Sequence, residues 1–321
     1  MFWMPCSPNA STAHDTPSPG GGQGQHRFRA GDAEYRIRVA NDLKTRRAAF
    51  ELVHSLYVEK GYTEPFRNGM WLSPFNLLPD TVTLVVKRGD AMVGTLTLVI
   101  DSELGLPCDG LYRNEVDALR RAGRIPSEII SLGVADEGKR ASQKILVKLF
   151  NYVYMTAWYL RGATDFVITV NPGHAEYYRK TLLFDRIGGE RNYTKVGGAP
   201  AVLMSLPLET PTLLDRPGKE EVKRRTHYKY FHTLDEEDEI LPRLETQLEP
   251  MTEREFCYFA MQKTDVWEKA SHEARRYLTR HYLIAMLAME ENGCVTRSAE
   301  LQPEPATAPT TTESPTSRSK D

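Results

Sequence analysis

No stretch of this 321-residue chain approaches the ~20 consecutive apolar residues that a membrane-spanning helix requires. Met1-Phe2-Trp3-Met4 is too short for a secretory leader and has no basic segment before it. Cysteine is scarce. Cys6, Cys108, Cys257 and Cys294 form no Cys-x-x-Cys pair and show no His/Cys ligand spacing, which argues against a disulfide framework or a zinc site. An excess of one charge is also missing: the net charge of −2 gives no global basic field for nucleic acid. There are no internal repeats. These absences predict a reduced, cytoplasmic globular protein with no transmembrane segment, leaving peripheral membrane contact open.

Both ends read as disordered. Residues 5–33 are rich in Pro, Gly, Ser and Thr and include Gly20-Gly21-Gly22, and residues 297–321 carry Pro303, Pro305, Pro309 and Pro315. Such composition buries too little apolar surface to offset chain entropy. The expected organisation is a tail over 1–33, a core over 34–209, a helical extension over 210–295 and a second tail over 296–321.

The core is organised around Ser127 to Phe150. Ser127 to Ala135 is short, apolar and β-prone, as a strand covered on both faces would be. Asp136 to Ser142 is a turn cluster, and Gln143 to Leu160 reads as a long buried helix. Lys139 and Arg140 stand at the start of that helix, where the dipole disfavours cations unless an anion joins them. Glu128 is a carboxylate inside an apolar strand, and buried carboxylates are rare unless paired or functional. A surface basic pair and a structural ion pair are the alternative reading of the same residues.

Around this unit the chain alternates. Tyr35 to Ala40 reads as a strand, and Asn41 or Asp42 caps a helix with Leu43, Phe50, Val53 and Tyr57 on one stripe. Residues 62–80 form a long loop with Trp71, Pro74, Phe75 and Pro79, either a functional cover or a loop packed on the core. Two strands meet at Arg88-Gly89-Asp90, a hairpin turn. Gly94 marks a bulge or a close backbone approach. A short helix ends at Gly123, a buried strand spans Thr164 to Val170, and His174 opens a helix on which it shares a face with Tyr178. Asn192 to Val196 and Ala201 to Leu206 read as a terminal antiparallel pair.

The predicted fold class is α/β: a mixed, mostly antiparallel sheet flanked by helices, with a helical C-terminal extension. This element order resembles that of the GNAT acyltransferases. The residues narrow the resemblance. Leu78-Pro79-Asp80, Val93 to Val99, Asp101 with Leu104-Gly105-Leu106-Pro107, Glu115 to Arg120, Glu128 to Val134, Asn171 to Arg179 and Gly198 to Met204 together resemble the FeeM-type N-acyl amino acid synthases. These are relatives of the acyl-homoserine-lactone synthases. Ser131 stands where lactone synthases carry Arg, and Leu183 where Gly is usual. The loop Gly138-Lys139-Arg140-Ala141 lacks the full glycine pattern of CoA-dependent relatives.

The resemblance implies an N-acyltransferase that moves a long-chain acyl group from an acyl carrier protein or CoA thioester to the α-amine of an amino acid. It implies no permanently bound cofactor and no metal. The acyl-phosphopantetheine of the carrier protein, or acyl-CoA, would be a substrate. Glu128 is then the expected base, Tyr178 the proton donor to the leaving sulfur, and His174 an orienting group. Ser131, Gly133, Val134, Ala135, Gly138, Lys139 and Arg140 would hold the donor. Arg179 or Arg191 would serve a substrate carboxylate. Acylation of a lipid or peptide amine, or a non-catalytic module that binds acyl carriers, are the open alternatives.

In the extension, Thr252 with Glu255 reads as a capping box, followed by Phe256, Phe259 and Ala260 on one face. Ser271 is the expected cap of a last helix running to Met289. This extension is expected either to cover the acyl chain or simply to pack. The acyl channel is expected to draw on Leu149, Phe150, Val153 and Trp158, with Trp71 and Phe75.

Overall fold

The computed structural model describes residues 26–193, 197–209, 229–231 and 237–283. Within them a mixed sheet carries the fold. Its strands are β1 (His26–Ala30), β2 (Ala33–Val39), β3 (Val82–Arg88), β4 (Ala91–Ile100), β5 (Pro126–Val134), β6 (Asp165–Val170), β7 (Asp185–Arg186), β8 (Arg191–Tyr193) and β9 (Ala199–Pro207). They lie in the order β1-β2-β3-β4-β5-β6-β9-β7, with β8 also on β9. Every pairing is antiparallel except β5 with β6.

The disorder expected over residues 1–33 does not hold for the last eight of them. Residues 26–33 are not disordered: Gly31, at φ 62°, turns β1 back onto β2. Phe28 is buried and stacks on Tyr35 with ring centroids 5.4 Å apart. Inward Phe28 between Arg27 and Arg29 is a strand pattern too short to outweigh the Gly-rich sequence before it. Residues 1–25 and 284–321, and most of 210–236, lie outside the described residues.

Two glycines place the helices. α1 (Leu43–Glu59) starts at Asp42, whose side chain accepts from Thr45 N at 2.8 Å. α3 (Lys139–Met155) begins four residues before the sequence reading put it, because Gly138 at φ 82° already sets the turn into the helix. A Cβ at Gly94 would lie 2.7 Å from Ile145 Cγ2 of α3, and one at Gly133 would lie 2.8 Å from Leu56 Cδ1 of α1. Gly133 pairs with Thr95, the neighbour of Gly94. Successive strand residues point to opposite faces, so α1 and α3 cover opposite faces of the sheet. Gly94 thus meets the close approach expected of it, and the β3–β4 register also shifts beside it, between Val86 and Lys87. Gly94→Ala should cost about 1–3 kcal/mol of stability by overpacking against Ile145. Urea unfolding checks this, and an unchanged midpoint would mean that α3 moves freely.

The main core fills the α3 face, with Leu149, Phe150 and Val153 all fully buried. A second core lies on the α1 face. It joins Phe50 of α1, Tyr112 and Val116 of α2 (Asp109–Arg121), Val99, Val167, and Phe256, Phe259 and Leu278 from the C-terminal segment. That segment comprises short helices at Glu237–Glu245, Glu253–Cys257, Val266–Lys269 and His272–His281. The expected capping box is present: Thr252 Oγ1 accepts from Glu255 N, and Glu255 Oε2 accepts from Thr252 N. Ser271 caps the last described helix, while the expected continuation to Met289 lies outside the described residues. No described helix is long and apolar enough to cross a membrane.

Candidate active site

Strand register aims Glu128. Thr95, Thr97 and Val99 share one face of β4, and Thr95 pairs with Gly133 on the α1 side. Val99 pairs with Glu128, so the Glu128 side chain also points to the α1 face. Val167 pairs with Glu128 from the other side, and Thr169, two residues on, shares that face. Glu128 is only 2% exposed. Its Oε2 accepts from Cys108 N at 2.7 Å, and its Oε1 from Thr169 Oγ1 at 3.4 Å.

Next to Glu128 the sheet opens. β5 and β6 pair at Pro126–Asp165, Ser127–Phe166 and Glu128–Val167 and no further, although β5 runs on to Val134 and β6 to Val170. The cause is a bulge. Between Thr95 and Thr97 of β4, one residue faces two of β5, Ser131 and Leu132. Ser131 adopts φ 52°, an unusual conformation for a non-glycine residue. The bulge bends β5 away from β6 and leaves a wedge with unpaired strand edges. Ala135 N donates to Val93 O at 2.9 Å, so alternation turns the amide of Val134 toward the open side.

A cavity of about 670 Å³ lies against this face. Glu128, Ile130, Ser131, Thr169 and Tyr193 line its floor. Its walls come from Tyr57 of α1 and from the loop that follows, through Tyr62, Phe66, Trp71, Leu72 and Pro74. The loop is pinned to α1. Phe66 N donates to His54 Nε2 at 2.9 Å and Trp71 N to Phe50 O at 3.1 Å, and the Tyr57 and Trp71 rings lie 4.9 Å apart. Burial lowers the His54 pKa, which favours the neutral ring that this acceptor role requires. Burial raises the phenol pKa of Tyr57 and of Tyr193, and the nearby Glu128 carboxylate adds to the rise at Tyr193. The far wall comes from the C-terminal segment, through Asp265, Val266 and Lys269.

Of the residues expected at the site, Glu128 and Ser131 line the cavity. Gly133, Val134 and Ala135 lie along the wedge edge of β5 and just beyond it. Gly138, Lys139 and Arg140 are exposed at the start of α3. Among the described residues Lys139 and Arg140 make no ion pair. His174 and Tyr178 lie on α4 (Pro172–Leu182) and do not line the cavity. Burial lowers the pKa of the His174 imidazole. Tyr178 is buried edge-on between the rings of Tyr177 and Phe184, each with its centroid 5.9 Å away, and its phenol pKa is pushed well up by burial.

Other expectations are corrected. Leu149, Phe150 and Val153 cannot line an acyl channel on this cavity, because α3 packs on the opposite face of the sheet. Trp158 and Phe75 are also absent from the cavity wall, whereas Trp71 is part of it. Arg179 pairs with Glu176 at 2.8 Å. Arg191 pairs with Glu115 at 2.5 Å and sits 4.6 Å above the Tyr112 ring. Neither arginine lines the cavity. Tyr57, Thr169, Tyr193 and the Asp265–Lys269 wall were missed. Tyr57 belongs to the apolar stripe expected on α1, a pattern that marks core and site residues alike. The β8 strand that carries Tyr193 spans three residues and offers little periodicity to read.

The strand wedge, the buried carboxylate and the cavity beside them form one site. The family model described as N-acyl amino acid synthase FeeM matches residues 48–207. Residues 48–207 belong to the FeeM family. The structure of FeeM, an N-acyl amino acid synthase from uncultured soil microbes, is 26% identical with a TM-score of 0.50. The match covers 56% of this chain and 93% of that one. The AHL synthase LasI is 14% identical over 55% of this chain and 91% of its own, with a TM-score of 0.40. An acyl-CoA N-acyltransferase from Pseudomonas aeruginosa is 15% identical over 54% and 99%, at 0.38. No curated protein sequence matches. The family match makes this protein an acyltransferase, and its C-terminal helices lie beyond the matched residues.

Proposed function

We propose that this FeeM-family acyltransferase moves a long-chain acyl group from a carrier-protein thioester to the α-amine of an amino acid. The observation that carries the reading is the position of Glu128, buried on the cavity floor where β5 and β6 begin to part. The donor's pantetheine arm enters the wedge as an extended chain and its thioester lies beside the cavity. The acceptor amine loses its proton to Glu128, directly or through a water. Its lone pair attacks the thioester carbon, forming the N–C bond; the C–S bond then breaks, and the second proton lost from nitrogen goes to the departing sulfur, which leaves as the thiol. The Val134 amide faces the oxyanion. Tyr178 lies off the cavity, so it reaches the sulfur only through a donor seated in the wedge. An α-amine with pKa near 8 is largely protonated at pH 7, so a base at this point accelerates the reaction.

The loop before α3 supports a donor with a single phosphate. Gly138 N donates to Asp136 Oδ1 at 3.0 Å and Glu137 N to Ser142 Oγ at 3.2 Å. Glu137 is itself held by Tyr35, at 3.0 Å, and Arg88, at 2.8 Å. The chain's own side chains therefore engage amides that a pyrophosphate would need. The first-turn amides of α3, with Lys139 and Arg140, remain for one phosphate.

Acyl length tests the reading. Each methylene that reaches the apolar wall adds about 0.8 kcal/mol, close to fourfold in binding. Across donors from acetyl to palmitoyl, kcat/KM should climb steeply to a long-chain optimum. A profile that is flat or best at acetyl would instead describe an ordinary acetyltransferase.

A further inference from the structure

The family match ends at residue 207, yet the cavity does not. Asp265, Val266 and Lys269 close its far side. Three contacts hold this segment on the core. Arg46 of α1 and Glu255 form a buried ion pair at 2.6 Å, the Phe50 and Phe259 rings meet edge-on at 5.2 Å, and Tyr282 donates to Leu77 O at 3.0 Å. The wall is therefore a fixed part of the site.

Its charges are unevenly distributed. The described lining residues include three carboxylates, Glu64, Glu128 and Asp265, and a single cation, Lys269. An acceptor carrying its own carboxylate would meet repulsion everywhere in such a cavity except at Lys269. Lys269 already bonds Asp265, at 2.6 Å, but an ammonium has three donors and one pairing does not exhaust it. The Asp265–Lys269 pair is also an unsuitable surface for an acyl tail, since an apolar chain laid there would desolvate both charges. This end of the cavity suits the acceptor, and the aromatic loop suits the tail.

We infer that Lys269, supplied by the segment beyond the family core, is the specificity residue that binds the carboxylate of the amino-acid acceptor. This rests on the proposed amino-acid acceptor. Lys269 acts on binding, and Glu128 on the proton.

The test compares an amino acid with its decarboxylated amine, using one long-chain donor, in the wild-type protein and in Lys269→Met and Lys269→Arg variants. The Lys269 side chain is 76% exposed, so the effect is moderate. Lys269→Met should raise KM for the amino acid about fivefold, with kcat nearly unchanged. It should leave KM for the amine unaltered, and Lys269→Arg should restore most of the loss. If KM for acid and amine moves together in Lys269→Met, or neither moves, Lys269 has no such role. A wild-type protein that acylates the amine and no amino acid would overturn the proposed acceptor itself, and this inference with it.

Discussion

Glu128→Gln should lower kcat roughly a hundredfold, the usual contribution of a positioned general base, while leaving the melting curve near that of the wild type. The amide is nearly isosteric with the carboxylate. Its oxygen can still accept from Cys108 N, which now donates to Glu128 Oε2 at 2.7 Å, so the strand and the α2 start stay joined. What disappears is the ability to take a proton from the acceptor amine. The pH dependence should change with it. Raising the pH deprotonates the amine in solution, near pH 8, and should recover part of the variant's rate but little of the wild type's. Near-normal turnover at pH 7 in a well-folded variant would remove Glu128 from the chemistry and leave it a structural partner of Cys108.

Removing Arg46 should have the largest effect on stability. Arg46 and Glu255 are 8% and 7% exposed as side chains, and the guanidinium also donates to Glu249 O at 3.3 Å. Truncation leaves the Glu255 carboxylate buried without its cation, which costs about 3 kcal/mol or more. Arg46→Ala should therefore unfold at markedly lower urea, and the C-terminal segment should become sensitive to protease first. Replacing both partners, as in Arg46→Met with Glu255→Met, should recover much of the loss because no charge is then stranded. If both variants were equally unstable, the loss would be one of packing and not of charge.

Much of this was legible because the signals were local. Period-two alternation located β2, β3 and β4, and a carboxylate in an apolar strand singled out Glu128. Thr252 with Glu255 announced its capping box through three-residue spacing. Leu183, where the family resemblance expects Gly, proves to sit at φ 62°, a conformation that Gly adopts without strain. What failed was non-local. A buried stripe on α3 does not say which face of the sheet it meets, so Leu149, Phe150 and Val153 looked as fit for a channel as for a core. Tyr193 reaches the site through the β8–β9 pairing, and Lys269 through contacts made by α1 with residues more than two hundred positions away. No spacing in the sequence encodes such distances.

The measurement closest to the central claim is a product analysis. Purified protein is incubated with a long-chain acyl carrier protein and a pooled mixture of amino acids, and the products are read by mass spectrometry beside the Glu128→Gln variant. The account predicts N-acyl amino acids that depend on the wild-type protein and are strongly reduced in the variant. Acylation of other amines only, or product equal in both proteins, would contradict it.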